Sequence, residues 1–438
     1  MSDRSDFQPI RNVIEGCWPG EWGTDPVGDQ SNCTVYRATD IDDEGHLSLE
    51  AGAARVVIPA KLTAKALRKG DLLLEASGGA PDRPVGRVAL VATQPAKPSL
   101  TSNFFRFMRP KANVDPMFLA FQLVALNRSS AIWRYQQQTT GLINLKVHDY
   151  LGHLVWAPPL PTQRKIASII STIDTAIEQT EALIEKYQHI KAGLMHDLFT
   201  RGVFPNGQLR PPREQAPELY QETAIGWIPR DWQTDQIGTY FEIQLGKMLN
   251  QLARTGRNSF PYLGNRSVQW NRLQMDNLES MDFSPEEQKK FALKDGDLLV
   301  CEGGEVGRTA IWASQMENCF YQKAIHRLRG KHEGINPRFM LWYMHFAQAN
   351  GQFSDFTSQS SIAHLTQEKL AKVPVLLPSA EEQDLIVSRI DAHESVMQGQ
   401  RDFRVNLNAQ KLGLMQDLLT GKVAVTVESQ HNAPTHAE

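Results

Sequence analysis

The chain has 438 residues, 46 Lys+Arg against 49 Asp+Glu for a formal charge of −3, and 41% hydrophobic residues. That length is a prior of about three domains, or two with a long connection, and the hydrophobic share excludes a mostly disordered chain. The near-neutral balance neither announces nor excludes a nucleic-acid binder, because a basic groove needs only a local excess. No run of about 18 apolar residues exists, so no membrane span is expected. The start, Met1-Ser2-Asp3-Arg4-Ser5-Asp6, is polar and has no signal-peptide core. Cys17, Cys33, Cys301 and Cys319 are far apart and form no Cys-x-x-Cys pair. That excludes a compact zinc knuckle and points to a reduced, cytoplasmic chain.

Along the chain, Arg55–Pro59, Asp71–Leu74 and Arg87–Val91 read as short strands. Gly78-Gly79 marks a turn. A helix is predicted from Asp115-Pro116, where Asp caps and Pro sits at the first helical position. From Ile166 the apolar seam Ile166, Ile170, Ile173, Ile177, Thr180, Ile184, Tyr187, Lys191, Leu194, Leu198 alternates steps of four and three, a heptad pattern. Pro205, Pro211, Pro212 and Pro217, with Gly202 and Gly207, exclude a continuous helix and read as a linker. Gly303-Gly304 marks another turn, and Asn336-Pro337 another helix start. A second seam follows: Ile386, Ile390, His393, Met397, Gln400, Arg404, Leu407, Lys411, Leu414, Leu418. The tail after Val427 is polar.

The chain repeats itself. Lys191-Ala192-Gly193-Leu194-Met195-His196-Asp197-Leu198-Phe199-Thr200 matches Lys411-Leu412-Gly413-Leu414-Met415-Gln416-Asp417-Leu418-Leu419-Thr420. Gln163 and Ile166 align in the same way with Gln383 and Ile386. Gly70-Asp71-Leu72-Leu73 resembles Gly296-Asp297-Leu298-Leu299, and Val85-Gly86-Arg87 matches Val306-Gly307-Arg308. Trp22-Gly23-Thr24-Asp25 resembles Trp232-Gln233-Thr234-Asp235, which places the copies at about Pro19–Val203 and Pro229–Val423. Each copy is a globular part followed by a long helix. Two amphipathic stripes on one chain most simply bury each other as an antiparallel pair; the alternative is that each packs on its own globular part.

Catalytic motifs are missing. No Gly-x-x-x-x-Gly-Lys-Ser/Thr phosphate loop is present. Cys301-Glu302-Gly303-Gly304-Glu305-Val306-Gly307 lacks the Gly-x-Gly-x-x-Gly spacing, and its two glutamates would repel a pyrophosphate. His326, His332 and His345 are too scattered for a metal. Asn336-Pro337-Arg338-Phe339 superficially resembles the Asn-Pro-Pro-Tyr/Phe loop of amino-methyltransferases, but a helix cap explains both it and Asp115-Pro116-Met117-Phe118.

Gly226-Trp227-Ile228-Pro229-Arg230-Asp231-Trp232 resembles the Gly-x-Ile-Pro-x-x-Trp opening of the target-recognition domains in specificity subunits of type I restriction–modification enzymes. Trp18-Pro19-Gly20-Glu21-Trp22 reads as a degraded version. Gly296-Asp297-Leu298-Leu299 with Gly303-Gly304 and Val306-Gly307-Arg308 resembles that family's core. Pro158-Pro159-Leu160-Pro161-Thr162-Gln163 resembles its entry into the helix, as does Leu377-Pro378-Ser379-Ala380-Glu381-Glu382-Gln383, which alone keeps Glu-Gln.

The resemblance implies a mixed α/β fold. Two globular target-recognition domains would be separated by two long antiparallel helices forming a coiled coil, with internal pseudo-two-fold duplication. The first recognition domain is expected at 1–160, the first spacer helix at 161–202 and a Pro-rich linker at 203–226. The second domain is expected at 227–378, the second spacer helix at 379–422 and a tail at 423–438. It also implies a non-catalytic scaffold that binds double-stranded DNA, two modification (adenine methyltransferase) subunits and restriction/translocase subunits. This chain would hold no cofactor; S-adenosylmethionine, ATP and Mg would belong to the partners. The alternatives are a self-contained DNA methyltransferase or nuclease, and an orphan coiled-coil subunit without DNA reading.

In such a chain the helices act as a ruler. Ile166 to Leu198 spans about 50 Å, or roughly 14–15 base pairs, between two unlike half-sites. Base readout calls for bidentate donors and amides on exposed loops. In the first domain these are Arg37, Thr39, Asp40, Arg83, Ser102, Asn103 and the run Gln136, Gln137, Gln138, Thr139, Thr140. In the second they are Lys247, Arg254, Arg257, Asn258, Asn265, Arg266, Gln322, Lys323, Gln359, Ser360 and Ser361. Lys191 and Lys411 lie on the seams, where tuning the helix pairing or meeting a partner is expected rather than contact with DNA.

Overall fold

The structure is a computed structural model that describes residues 6–42, 44–80, 82–139, 142–249, 256–331, 334–356 and 364–426. The chain divides into two units, Met1–Glu181 with Asp402–Glu438, and Ala182–Arg401.

Unit 1 opens with β1 (Phe7–Pro9), α1 (Ile10–Val13), β2 (Ile14–Pro19), β3 (Cys33–Tyr36), β4 (Ala53–Arg55), α2 (Pro59–Lys65), β5 (Leu72–Glu75) and β6 (Ser77–Gly79). It continues with β7 (Val88–Leu90), β8 (Ser99–Thr101), β9 (Phe105–Pro110), α3 (Pro116–Arg128), β10 (Gln136–Thr139), β11 (Leu142–Leu145), α4 (Val147–Tyr150) and β12 (Leu154–Trp156). The long helix α5 (Leu160–Thr200) starts here and ends in unit 2.

Unit 2 holds β13 (Tyr220–Thr223), β14 (Gly226–Pro229), β15 (Gln233–Gln236), α6 (Ile237–Tyr240), β16 (Phe241–Leu245) and β17 (Ser259–Leu263). Then come β18 (Val268–Gln269), β19 (Arg272–Leu273), β20 (Ser280–Asp282), α7 (Pro285–Lys290), β21 (Leu298–Cys301), β22 (Thr309–Ile311), β23 (Phe320–Tyr321) and β24 (Ile325–Gly330). α8 (Pro337–Ala349), α9 (Gln367–Ala371), β25 (Pro374–Leu377) and α10 (Ala380–Leu418) complete the chain, and α10 ends in unit 1.

The two units share one plan. The four-stranded sheet β2-β9-β5-β7 corresponds to β16-β24-β21-β22, and the three-stranded sheet β4-β3-β8 to β20-β17-β23. In each smaller sheet the same pair is parallel, β3 with β8 and β17 with β23. β5 and β21 are buried at all four positions, as an apolar strand covered on both faces must be. α3 and α8 begin as expected: Asp115 accepts from Phe118 N and Asn336 from Arg338 N, each with Pro at the first turn.

The repeated motif residues are pins. Asp71 takes both arms of Arg109 at 2.8 Å, and Asp297 takes Arg329 at 2.7 and 2.5 Å. Each carboxylate also accepts a backbone N–H three residues upstream, from Arg68 or Lys294. Gln163 accepts from Asp115 N at 2.8 Å and donates to Pro158 O, and Gln383 accepts from Asn336 N at 2.8 Å and donates to Pro378 O. These glutamines tie the start of each long helix to its own globular part.

The helices pair antiparallel within each unit. In unit 1 the beginning of α5 meets the end of α10: Ile166 and Ile170 share a core with Met415 and Leu418, and Lys411 pairs with Asp174 at 2.6 Å. In unit 2 the end of α5 meets the beginning of α10: Lys191 pairs with Glu394 at 2.5 Å, and Tyr187 meets His393 edge-on. No residue of either predicted seam is exposed. The same helices also pack on globular parts, since Leu198 and Phe199 join the core of unit 2.

The sequence alignment needs correcting at the start of the first copy. β1 pairs with β12 as β15 pairs with β25, so the first copy begins at Phe7 rather than near Pro19. Trp22 follows β2 and lies under the Arg55 guanidinium at 3.8 Å, whereas Trp232 precedes β15. The Trp18–Trp22 stretch is therefore not an opening motif. The proline-rich stretch 203–226, read as a linker, packs into unit 2, with Val203, Ala216 and Tyr220 buried and a β13–β14 hairpin. Of the expected strand Arg55–Pro59 only Arg55 is in β4, because Pro59 opens α2. Gly78-Gly79 lies in β6, not in a turn.

Candidate nucleic-acid interface

In both units the loop after the parallel strand is built the same way. Arg87 of unit 1 donates to Ala38 O and Ile41 O, and Arg308 of unit 2 donates to Asn265 O at 2.7 Å. The Val-Gly-Arg motif thus holds the loop after β3 or β17. A second loop is docked on the first: Ser102 N donates to Tyr36 O, and Gln322 N to Leu263 O. Glycine is required beneath it, because a Cβ at Gly20 would run into Ser102 O and one at Gly246 into Gln322 O.

In unit 1 this frame brings distant residues together. The Asn103–Phe104 turn is tied to β6 by Ala76 N and Ser77 N, both donating to Phe104 O. β6 joins β11 and β10, so Gln137 and Gln138 share that small sheet. Arg37, Thr39, Arg83, Asn103, Gln137 and Gln138 are exposed. Three expectations change. Asp40 is buried and holds Arg37 through Nε at 3.2 Å and Nη2 at 3.0 Å, so it positions that arginine instead of facing solvent. Ser102 is buried beneath the turn. Gln136 is half-buried, with its amide bonded to Val85 and Ile132. Sequence reasoning missed Phe104, next to Asn103 in the turn, and Trp133, both exposed aromatics; in a sequence they look like core.

In unit 2, Asn265, Arg266 and Gln322 line one cleft of about 620 Å³ with Ser267, Gln274 and Asn277. Gln322 Nε2 lies 2.9 Å from where a Cβ would stand on Gly264, and Asn265 Nδ2 lies 2.9 Å from the same point on Gly304. These glycines give the two amides room. Lys323, Arg257 and Asn258 are exposed. Lys247 is not a free cation: its Nζ meets Glu287 at 2.5 Å and Asp282 O at 2.6 Å. It clamps the start of α7 instead of reaching outward. Thr140, Arg254, Gln359, Ser360 and Ser361 lie outside the described residues, as does His332. Gln274 and Asn277, from the loop around β19, carry no sequence signal.

A different network closes unit 2. Glu382 accepts from Arg210 (2.5 and 3.2 Å), Trp232 Nε1 (2.9 Å) and Val203 N (2.7 Å). Burial disfavours the Arg210 charge, yet Glu382 and Asp231 outweigh it and hold its pKa above the ordinary value. The Trp of the opening motif and the Glu of the helix entry are thus two ends of one buried contact. Among the described residues no group of three His, Cys, Asp or Glu is placed to hold a metal, and no helix is long and apolar enough to cross a membrane.

Residues 229–402 match the family model described as the type I restriction modification DNA specificity domain. Over that stretch the chain is similar to the DNA specificity domain of type I restriction–modification systems. The type I restriction enzyme MjaVIII specificity subunit of Methanocaldococcus jannaschii is 23% identical over 335 residues, covering 74% of each chain. Two solved structures share the fold of this chain. The type I restriction–modification S subunit from M. genitalium has a TM-score of 0.51 at 14% identity, covering 94% of this chain and 95% of that one. A chain solved in work on complex assembly and conformational transition of a type I system has a TM-score of 0.57 at 16% identity, covering 95% and 98%.

Proposed function

We propose that this chain is a type I specificity subunit that chooses a bipartite, asymmetric DNA site, each unit reading one half. One observation carries the reading: two units with the same strand plan, pins and loop-holding arginine present different side chains at matching places. Where unit 1 has Asn103, unit 2 has Lys323, and the Arg37–Thr39 loop answers to Asn265–Arg266. A fixed frame with exchanged reading groups fits two unlike half-sites. The long helices set the unread spacer. The subunit itself performs no chemistry; two adenine-methylating modification subunits and the restriction/translocase subunits, working in the cytoplasm, supply S-adenosylmethionine, ATP and Mg chemistry.

The test is to exchange residues 7–150 for those of another specificity subunit and map methylation by the reconstituted complex. One half of the site changes and the other stays. Change in both halves, or in neither, rejects the reading.

A further inference from the structure

Arg87 and Arg308 hold equivalent loops, but their charges are balanced differently. Arg87 donates through Nε (3.0 Å) and Nη2 (2.9 Å) to Glu75, the buried last residue of β5. The last residue of β21, in the same register, is Cys301. Burial pushes the Cys301 thiol up to about 11, so it stays neutral and gives Arg308 no counter-charge. Arg308 Nη1 is 3.4 Å from Glu305, a carboxylate that is 43% exposed and also accepts from Trp270 Nε1 at 2.5 Å. Among the described residues Arg308 Nε has no hydrogen-bond partner, and neither has Asn265 Oδ1. Arg308 itself is only 14% exposed, and its Nη2 bonds the main chain of Asn265, which lines the 620 Å³ cleft.

A poorly compensated guanidinium one hydrogen bond behind a polar cleft wall is weakly screened and favours an anion. We infer that Arg308 gives unit 2 a phosphate-binding charge, directed at a DNA backbone phosphate at the cleft, which unit 1 has neutralised with Glu75. This rests on the reading that unit 2 binds DNA. The phosphate competes with Glu305 for the Nη1 edge.

The decisive variant is Cys301→Glu, which rebuilds in unit 2 the pair that unit 1 already has. The full-length chain with its modification subunits selects a duplex from a random library, and its Kd for that duplex is measured against salt concentration. The variant binds several-fold more weakly, its log–log salt slope is shallower by about 0.9, the value for one lost phosphate contact, and its melting temperature is not lower. An unchanged slope in the folded variant overturns the proposal. Should Cys301→Glu not fold, Arg308→Gln gives the same weaker binding and shallower slope, with Arg308→Lys, which keeps the charge, expected to restore the slope. If the unaltered chain selects no sequence, the reading of unit 2 as a DNA binder fails as well, a result distinct from selection with an unchanged slope.

Discussion

Replacing Glu382 with Ala removes the acceptor of four hydrogen bonds at one stroke: two from Arg210, one from Trp232 and one from the Val203 main chain. Arg210 is 4% exposed, so it cannot recover its hydration. Breaking one partner of a buried pair costs about 3–5 kcal/mol. Asp231, 2.7 Å from Arg210 Nη2 and 64% exposed, retains part of the compensation, which favours the lower end, about 3 kcal/mol. The assay is urea unfolding followed by tryptophan fluorescence, with Trp232 inside the perturbed site. A double variant, Glu382→Leu with Arg210→Met, removes both charges and costs far less than the two single changes summed. Thr162→Ala, at the matching position in unit 1, stays within about 0.5 kcal/mol. A loss below about 1 kcal/mol for Glu382→Ala, or full additivity in the double variant, refutes the reasoning.

Other outcomes follow from the same contacts. Burial, with the Lys191 charge, holds His345 down at about 4. Its neutral form therefore stabilises the fold fully above pH 6.5, and about 3 kcal/mol is lost as pH falls from 6.5 toward 4. His345→Phe flattens that part of a stability–pH curve. Burial raises Glu394, but the hydrogen bond and charge of Lys191 outweigh it and leave the carboxyl below its ordinary range. Glu394→Gln should accordingly remove stability at pH 7 and none once pH is below the folded-state pKa, read by melting at both pH values. Asp297→Asn frees Arg329 and costs about 3 kcal/mol in chemical unfolding of unit 2. Gly246→Ala displaces the Gln322 turn and relaxes base choice in one half-site, checked by methylation of a site library.

Much of the frame was legible because it is duplicated. The Gly-Asp and Pro-x-x-x-x-Gln motifs recur at matching places, and the structure shows why: Asp71 and Asp297 anchor arginines, while Gln163 and Gln383 clamp helix starts. The seams were legible because heptad spacing follows from helix geometry alone. The start of the first copy was misread because two tryptophans looked alike, although Trp22 packs under Arg55 and Trp232 against Glu382. The reading loops were located only coarsely. A polar side chain in a loop looks the same in sequence whether it faces water, like Asn103, or supports a neighbour, like Asp40 and Lys247. Gln274 and Asn277 enter the cleft through the path of the chain, which no local pattern encodes.

The claim that each unit governs one half-site is tested most directly by mapping methylated adenines in cells carrying the unaltered chain and in cells carrying Asn265→Ala with Gln322→Ala. The account predicts a split site with two unlike halves, of which the paired substitution relaxes one and leaves the other and the spacer intact. A continuous site, or equal loss of selectivity in both halves, would contradict it.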